Sequence, residues 1–244
     1  MKLFYRIFPK DLNVSTLNKA WWFYIVLTIL GTIAFTAYGN TLSVDDRYRF
    51  ILITSILEFI FLRFYKFYLI HVREDYFYFD NLPCFLCNQS TILCIIAALT
   101  RNNHLMAFCI VMGTAGSLLA FFFPDPCIAN QPFYSFQTFG FYAYHALLIV
   151  TCLSFWTLGL YKPDLTDALW NMLILFLLAF LDHWINVILI RTGLNPKANY
   201  NFTINPDNGF LKLLYKYFPV KLYYMLPCLP MIGLVTLLFV LIIR

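Results

Sequence analysis

Seven mostly apolar stretches of about 20 residues follow one another along this chain, at 20–39, 48–70, 81–100, 104–123, 138–160, 168–190 and 223–243. A run of that length spans the hydrocarbon of a bilayer as a helix. A helix satisfies every backbone polar group within its own segment, which lipid demands. Most connections are short, so the chain reads as an all-α polytopic membrane protein. The expected architecture is a single integral membrane domain over 1–244, a bundle of about seven transmembrane helices with the N-terminus inside. The second run is the most polar, since it carries Glu58, Arg63 and Lys66. Composition points the same way: 61% of residues are hydrophobic and 12% charged, where a soluble domain carries about 25% charged. In water such a chain would expose large apolar patches and aggregate. The first apolar run begins near Ala20 and is too long for the core of a cleavable signal peptide.

The net charge of +5 predicts no nucleic-acid partner, because the basic residues sit in connections between apolar runs, where they report orientation. With the N-terminus inside, the inner segments hold Lys2, Arg6, Lys10, Lys19, Arg73, Arg191, Lys197, Lys212, Lys216 and Lys221. The outer segments hold Arg47, Arg49, Arg101, Lys162 and Arg244. The longest connection contains 210–218, whose aromatic residues and lysines predict an interfacial helix. This topology puts the N-x-S/T triplets at Asn13, Asn88 and Asn201 inside or within a helix, which argues against glycosylation. The seven cysteines are Cys84, Cys87, Cys94, Cys109, Cys127, Cys152 and Cys228. Their spacing suits neither a zinc site nor a disulfide framework, so they read as free thiols packed as small hydrophobes.

Ionisable groups inside lipid are costly and mark function more often than they do in water. At a rise of 1.5 Å per residue, Cys87 lies about 9 Å and His145 about 10 Å from the inner surface. Asp182 and His183 lie about 10–12 Å from the same surface. Three helices thus put a thiol, two imidazoles and a carboxylate in one layer. Cys84, Cys87, Thr91 and Cys94 recur at helical spacing with Asn88 and Ser90 alongside, and a small, polar stripe in a membrane helix faces protein. The alternative is that these residues only let helices approach closely, as Gly113 and Gly116 do in the fourth run. If chemistry occurs, it is nucleophilic. The thiolate attacks, so Cys87 needs a base, for which His145 is the candidate. Asp182 can orient that histidine or pair with Arg63. Asn88 or Ser90 can donate to an oxyanion. At this depth the attacked group is the ester of a lipid.

The run Asn81-Leu-Pro-Cys-Phe-Leu-Cys-Asn-Gln-Ser90 resembles the LPxxLCxxS signature of the YwaF-type bacterial integral membrane proteins, relatives of eukaryotic transmembrane protein 164, an acyltransferase that remodels ether phospholipids. Gly113–Asp125 is similar to that family's small-residue helix ending in Pro-Asp. Phe141-Tyr-Ala-Tyr-His-Ala146 is similar to its histidine helix, and Ala198-Asn-Tyr200 to its Asn-Tyr element. The resemblance covers about 80–210. It implies that Cys87 becomes acylated with His145 as its partner, that Asn199 and Tyr200 line the site, and that the chain resides in a bacterial plasma membrane. Cys84, on the face of Cys87, departs from the pattern and leaves open which thiol reacts.

The expected activity is acyl transfer through a Cys87 thioester, with His145 as general base and membrane phospholipids as donor and acceptor. No cofactor or metal is expected. With water as acceptor the same site is a lipid hydrolase. A proton-coupled transporter using Glu58, Asp182, His145 and His183 is the alternative, although the chain lacks the repeated halves of transporter folds. A non-catalytic helical bundle is the third reading. Oligomeric state is left open.

Overall fold

A computed structural model of the chain describes residues 9, 12–73, 78–124, 128, 131–206 and 209–243. Lys2, Arg6, Lys10, Asp125, Cys127 and Arg244, all used above, lie outside these residues. The described elements are helical: α1 (Lys19–Gly39), α2 (Val44–Val72), α3 (Leu86–Thr100), α4 (Asn103–Phe122), α5 (Phe136–Thr157), α6 (Asp167–Arg191), α7 (Gly209–Tyr217) and α8 (Cys228–Ile243). Among the described residues, five stretches are long and apolar enough to cross a membrane: α1, α4, α5, α6 and Tyr223–Ile242, which takes in all but the last residue of α8. Helix α2 is longer, at 29 residues, but carries Glu58, Arg63 and Lys66. Helix α3 is apolar and short, at 15 residues. The chain is therefore a multi-pass integral membrane protein.

Local chemistry sets the helix starts. Asn18, Ser43, Asn102 and Ser135 each stand one residue before a helix and accept a backbone N–H of its first turn, worth about 1 kcal/mol apiece. Helix α3 differs from expectation: it begins at Leu86, not near Asn81. The reason is Pro83, which keeps the preceding Leu82 out of the helical region. A short 3₁₀ turn at Tyr78–Asn81 and an irregular stretch precede the helix. Cys87 is thus in the first turn of α3 instead of six residues in. Helix α8 likewise begins at Cys228, after Pro227, rather than near 223. Within α4 a π-helical turn at Cys109–Gly113 interrupts the α-helical ladder.

Successive helices run antiparallel. At one end Arg47 donates to the Leu158 carbonyl (2.7 Å), Arg101 pairs with Asp45 (2.7 Å) and His104 meets Asp167 (3.2 Å). At the other end Val14 N–H donates to Gln131 (2.9 Å) and the Trp21 indole to the Phe121 carbonyl (2.7 Å). Burial separates the helices into two groups: 72% of the apolar window of α5 and 61% of that of α4 are buried, against 22% for α1 and for α6. Helices α4 and α5 therefore form the centre with α3, while α1, α6 and α8 present Leu27, Ile33, Leu177, Leu181 and Leu238 outward. The central helices approach closely at Gly113, where a Cβ would stand 2.4 Å from the Cys152 sulfur.

Candidate functional site

The start of α3 gathers four consecutive buried polar side chains, Asn88, Gln89, Ser90 and Thr91. No side chain caps the helix at Phe85. Instead Asn201, from the loop after α6, accepts the Leu86 N–H (3.1 Å). The helical ladder opens with Gln89 N–H to the Phe85 carbonyl (3.0 Å), so the amides of Cys87 and Asn88 precede it and have no partner within the helix. Both amides belong to the same turn as the Cys87 thiol. Among Cys84, Cys87 and Cys94, only Cys87 is partly exposed. Its thiol is 3.8 Å from Asn88 Oδ1.

One turn further along, a buried network joins α2, α3 and α5. Glu58, 1% exposed, accepts from the Thr91 hydroxyl at one carboxylate oxygen and from the Thr151 hydroxyl at the other, both at 2.8 Å. The Tyr144 hydroxyl is 3.0 Å from Thr91 Oγ1 and donates to Asn88 Oδ1 at 3.4 Å. Asn88 Oδ1 is therefore shared by the Tyr144 hydroxyl and the Cys87 thiol. A continuous polar path runs from the thiol through Asn88, Tyr144 and Thr91 to a carboxylate.

His145 is buried on α5, beside Tyr144. Its Nδ1 is 2.8 Å from the Phe141 carbonyl. A carbonyl only accepts, so Nδ1 carries the hydrogen and Nε2 of the neutral ring presents a lone pair. The ring packs on Phe141 (centroids 4.4 Å) and Tyr144 (5.0 Å). Among the described residues no hydrogen bond joins His145 to Cys87.

The orienting role considered for Asp182 does not match its contacts: the Phe141 carbonyl holds the histidine. Asp182 instead accepts from Gln89 Nε2 at both oxygens (2.9 Å each) and from Asn201 Nδ2 (2.6 Å), and takes the Cys84 thiol. Asn201 also donates to Gln89 Oε1 at 3.2 Å. This knot ties α6, α3 and the following loop together, and it engages Cys84 while leaving Cys87 outside. Nor does Asp182 pair with Arg63, which donates to the Asn81 carbonyl. Ser90 is fully buried and faces α4, its Cβ 3.3 Å from where a side chain on Gly113 would begin. Asn199 closes its own loop, donating to the Asn205 carbonyl (2.9 Å) and accepting from the amides of Ile204 and Asn205. Tyr200 is buried, its ring edge-on to Phe85 at 5.5 Å, so it supports the approach to α3. His183 turns to a separate cavity beside Ile204 and Lys221.

Sequence reasoning about the thiol passed over Tyr144, Thr151, Gln89 and Asn201, and it kept Glu58 for transport alone. A signal existed for two of them: Tyr144 and Thr151 stand seven residues apart, two helical turns on one face. Asn201 lies in a loop and carries no periodic signal. Among the described residues no cluster of His, Cys, Asp and Glu is arranged to hold a metal.

Comparison with known sequences agrees with this membrane architecture. A model of the TMEM164 family matches residues 14–242. No curated protein and no solved structure matches the chain.

Proposed function

The chain belongs to the TMEM164 family, and from that premise we propose that it is a membrane-embedded acyltransferase in which Cys87 carries the acyl group as a thioester. The observation that carries this reading is the first turn of α3: a partly exposed thiol shares that turn with two amide N–H groups that the helix itself does not use. Preorganised N–H groups of this kind stabilise the negative charge that develops when a carbonyl is attacked.

In the first half-reaction the Cys87 sulfur bonds to the ester carbonyl carbon of a phospholipid while its proton passes to Nε2 of His145. The N–H groups of Cys87 and Asn88 hold the oxyanion. The carbon–oxygen ester bond then breaks, and the glycerol oxygen leaves with the proton from His145. A lysophospholipid departs and the thioester remains. In the second half-reaction an acceptor hydroxyl gives its proton to His145 and attacks the thioester carbon. The sulfur leaves and recovers the proton. Catalytic hydrogen bonds are often long in unliganded sites and tighten around substrate, and the bond between the Cys87 sulfur and Nε2 of His145 is expected to form when a lipid enters. The second reading, proton-coupled transport, is favoured by the burial of Glu58 between two threonine hydroxyls. It requires Glu58 and not Cys87.

The test is to incubate the purified protein with a phospholipid carrying a labelled acyl chain. A hydroxylamine-sensitive label is expected on the wild type and on Cys84→Ala, and none on Cys87→Ala. Label that survives in Cys87→Ala, or a wild type that never acquires it, defeats the proposal. Chase with a lysophospholipid releases the label as phospholipid if the protein is a transferase and as free fatty acid if it is a hydrolase.

A further inference from the structure

Beside the loop that follows α6 lies a cavity of about 240 Å³, lined by His183, Val187, Ile190, Arg191, Ile204 and Lys221. Two of these residues, Arg191 and Lys221, are basic, and none is acidic. Arg191 and Lys221 are exposed, and neither forms an ion pair among the described residues. Nδ1 of His183 is buried and has no hydrogen-bond partner among the described residues. The ring lies against the Thr203 backbone of the same loop, so His183 forms a fixed wall of the cavity. The other three walls, Val187, Ile190 and Ile204, are apolar.

Basic groups around a concave, half-apolar space call for an anion attached to something apolar. At about 30 Å³ per water-sized group, the volume admits a phosphate with its adjoining glycerol but not two acyl chains. The surroundings give its level in the membrane. Helix α7 follows the same loop, and its lysines and aromatic residues suit the headgroup layer: Lys212, Lys216 and Tyr217 are exposed. The cavity also adjoins the site. His183 follows Asp182, whose carboxylate is tied to Gln89 of α3, and Ile204 belongs to the loop whose Asn201 accepts the Leu86 N–H.

We infer that this cavity is a phosphate subsite that holds one glycerophospholipid by its headgroup phosphate, with Arg191 and Lys221 balancing the charge. The inference deepens the acyl-transfer reading and rests on it for the choice of a lipid over free phosphate. Arginine supplies a planar fork of donors suited to a phosphate, and lysine a point charge. Val187, Ile190 and Ile204 meet the first methylenes of the chains.

The experiment measures lipid retention by the full-length protein in detergent, using native mass spectrometry. Dioleoylphosphatidylglycerol is expected to be retained as one molecule per chain, and dioleoylglycerol, which lacks the phosphate, not at all. The double variant Arg191→Gln/Lys221→Gln weakens retention by at least about tenfold, the effect of losing one charge-assisted hydrogen bond. Lys221→Glu does the same alone by opposing the phosphate. Both side chains are exposed, so the variants keep the wild-type circular dichroism and melting temperature. Millimolar inorganic phosphate leaves the lipid bound. If the phosphate displaces it, the ligand is free phosphate and the lipid assignment falls. Retention by the double variant within about twofold of wild type (under 0.5 kcal/mol), or equal retention of dioleoylglycerol, overturns the subsite. A p-nitrophenyl acyl ester has no phosphate and acylates Cys87 equally in wild type and double variant. Loss of lipid binding with that acylation intact condemns the subsite alone, while binding without acylation condemns the thioester.

Discussion

Gly113 and Gly31 show what one hydrogen atom decides in this bundle. A Cβ on Gly113 would meet the Cys152 sulfur at 2.4 Å and Ser90 Cβ at 3.3 Å, whereas a Cβ on Gly31 has nothing within 4 Å. Gly113→Ala forces α4 away from α3 and α5 and is expected to cost about 1–3 kcal/mol, as overpacking of a core does. Gly31→Ala, in an outward-facing part of α1, removes only backbone freedom and is expected to gain about 0.5–1 kcal/mol. Melting temperatures of the two variants in one detergent check the contrast; a Gly113→Ala protein as stable as wild type would mean that the π-helical turn yields. Cys84 and Cys87 make the same point about environment. The sequence reads both as thiols on one face of a helix, but in the tertiary structure Cys84 precedes α3 and lies buried beside Asp182, while Cys87 is partly exposed in the first turn.

At the scale of elements, Glu58 is the rivet between α2, α3 and α5. Each threonine that donates to it also reaches a carbonyl one turn back in its own helix: Thr91 to Cys87 at 3.3 Å and Thr151 to Leu147 at 3.0 Å. Removing a donor therefore does not orphan a helix, and hydrogen bonds between membrane helices average about 0.6 kcal/mol with a maximum near 1.7. Thr151→Val is expected to lower stability within that range, measured by unfolding in sodium dodecyl sulfate, and to leave Cys87 acylation intact. A loss of several kcal/mol would show that the carboxylate depends on that one bond. The caps at Asn18, Ser43, Asn102 and Ser135 are visible in the sequence because capping is local. The late start of α3 is visible only to a reading that gives Pro83 its full weight, since hydropathy runs unbroken through Leu82 and Phe85.

For the whole molecule the outstanding quantity is orientation. Arg47, Arg101 and Lys162 lie at one end of the bundle, while Arg73, Arg191, Lys197 and Lys221 lie at the other, and lysine and arginine accumulate on the cytoplasmic side. Lys197→Cys is therefore expected to be protected from a membrane-impermeant maleimide in intact cells, and Lys162→Cys to react, with the native chain as background. The reverse pattern would place the Cys87 end of the bundle outside, facing the other leaflet. The antiparallel succession of helices follows from short connections. The selection of α4 and α5 as the buried centre does not, because each of the five spanning runs is apolar enough to face either protein or lipid.

The sequence by itself determined that the chain is a multi-pass helical membrane protein, because the length of an apolar run and the residues beside it act over one helix at a time. It also predicted one depth for Cys87, His145, Asp182 and His183, but that count ran from a helix entering at Asn81, and Pro83 delays α3 to Leu86 and leaves Cys87 in its first turn. It did not determine who meets whom in that layer. Contact depends on the rotation of each helix about its axis and on its choice of neighbours, and both are set by close packing at positions such as Gly113 and Gly140. Only the tertiary structure bound Asp182 to Gln89 and Asn201, turned His145 onto its own helix, set Glu58 behind the thiol and opened the first turn of α3 around Cys87.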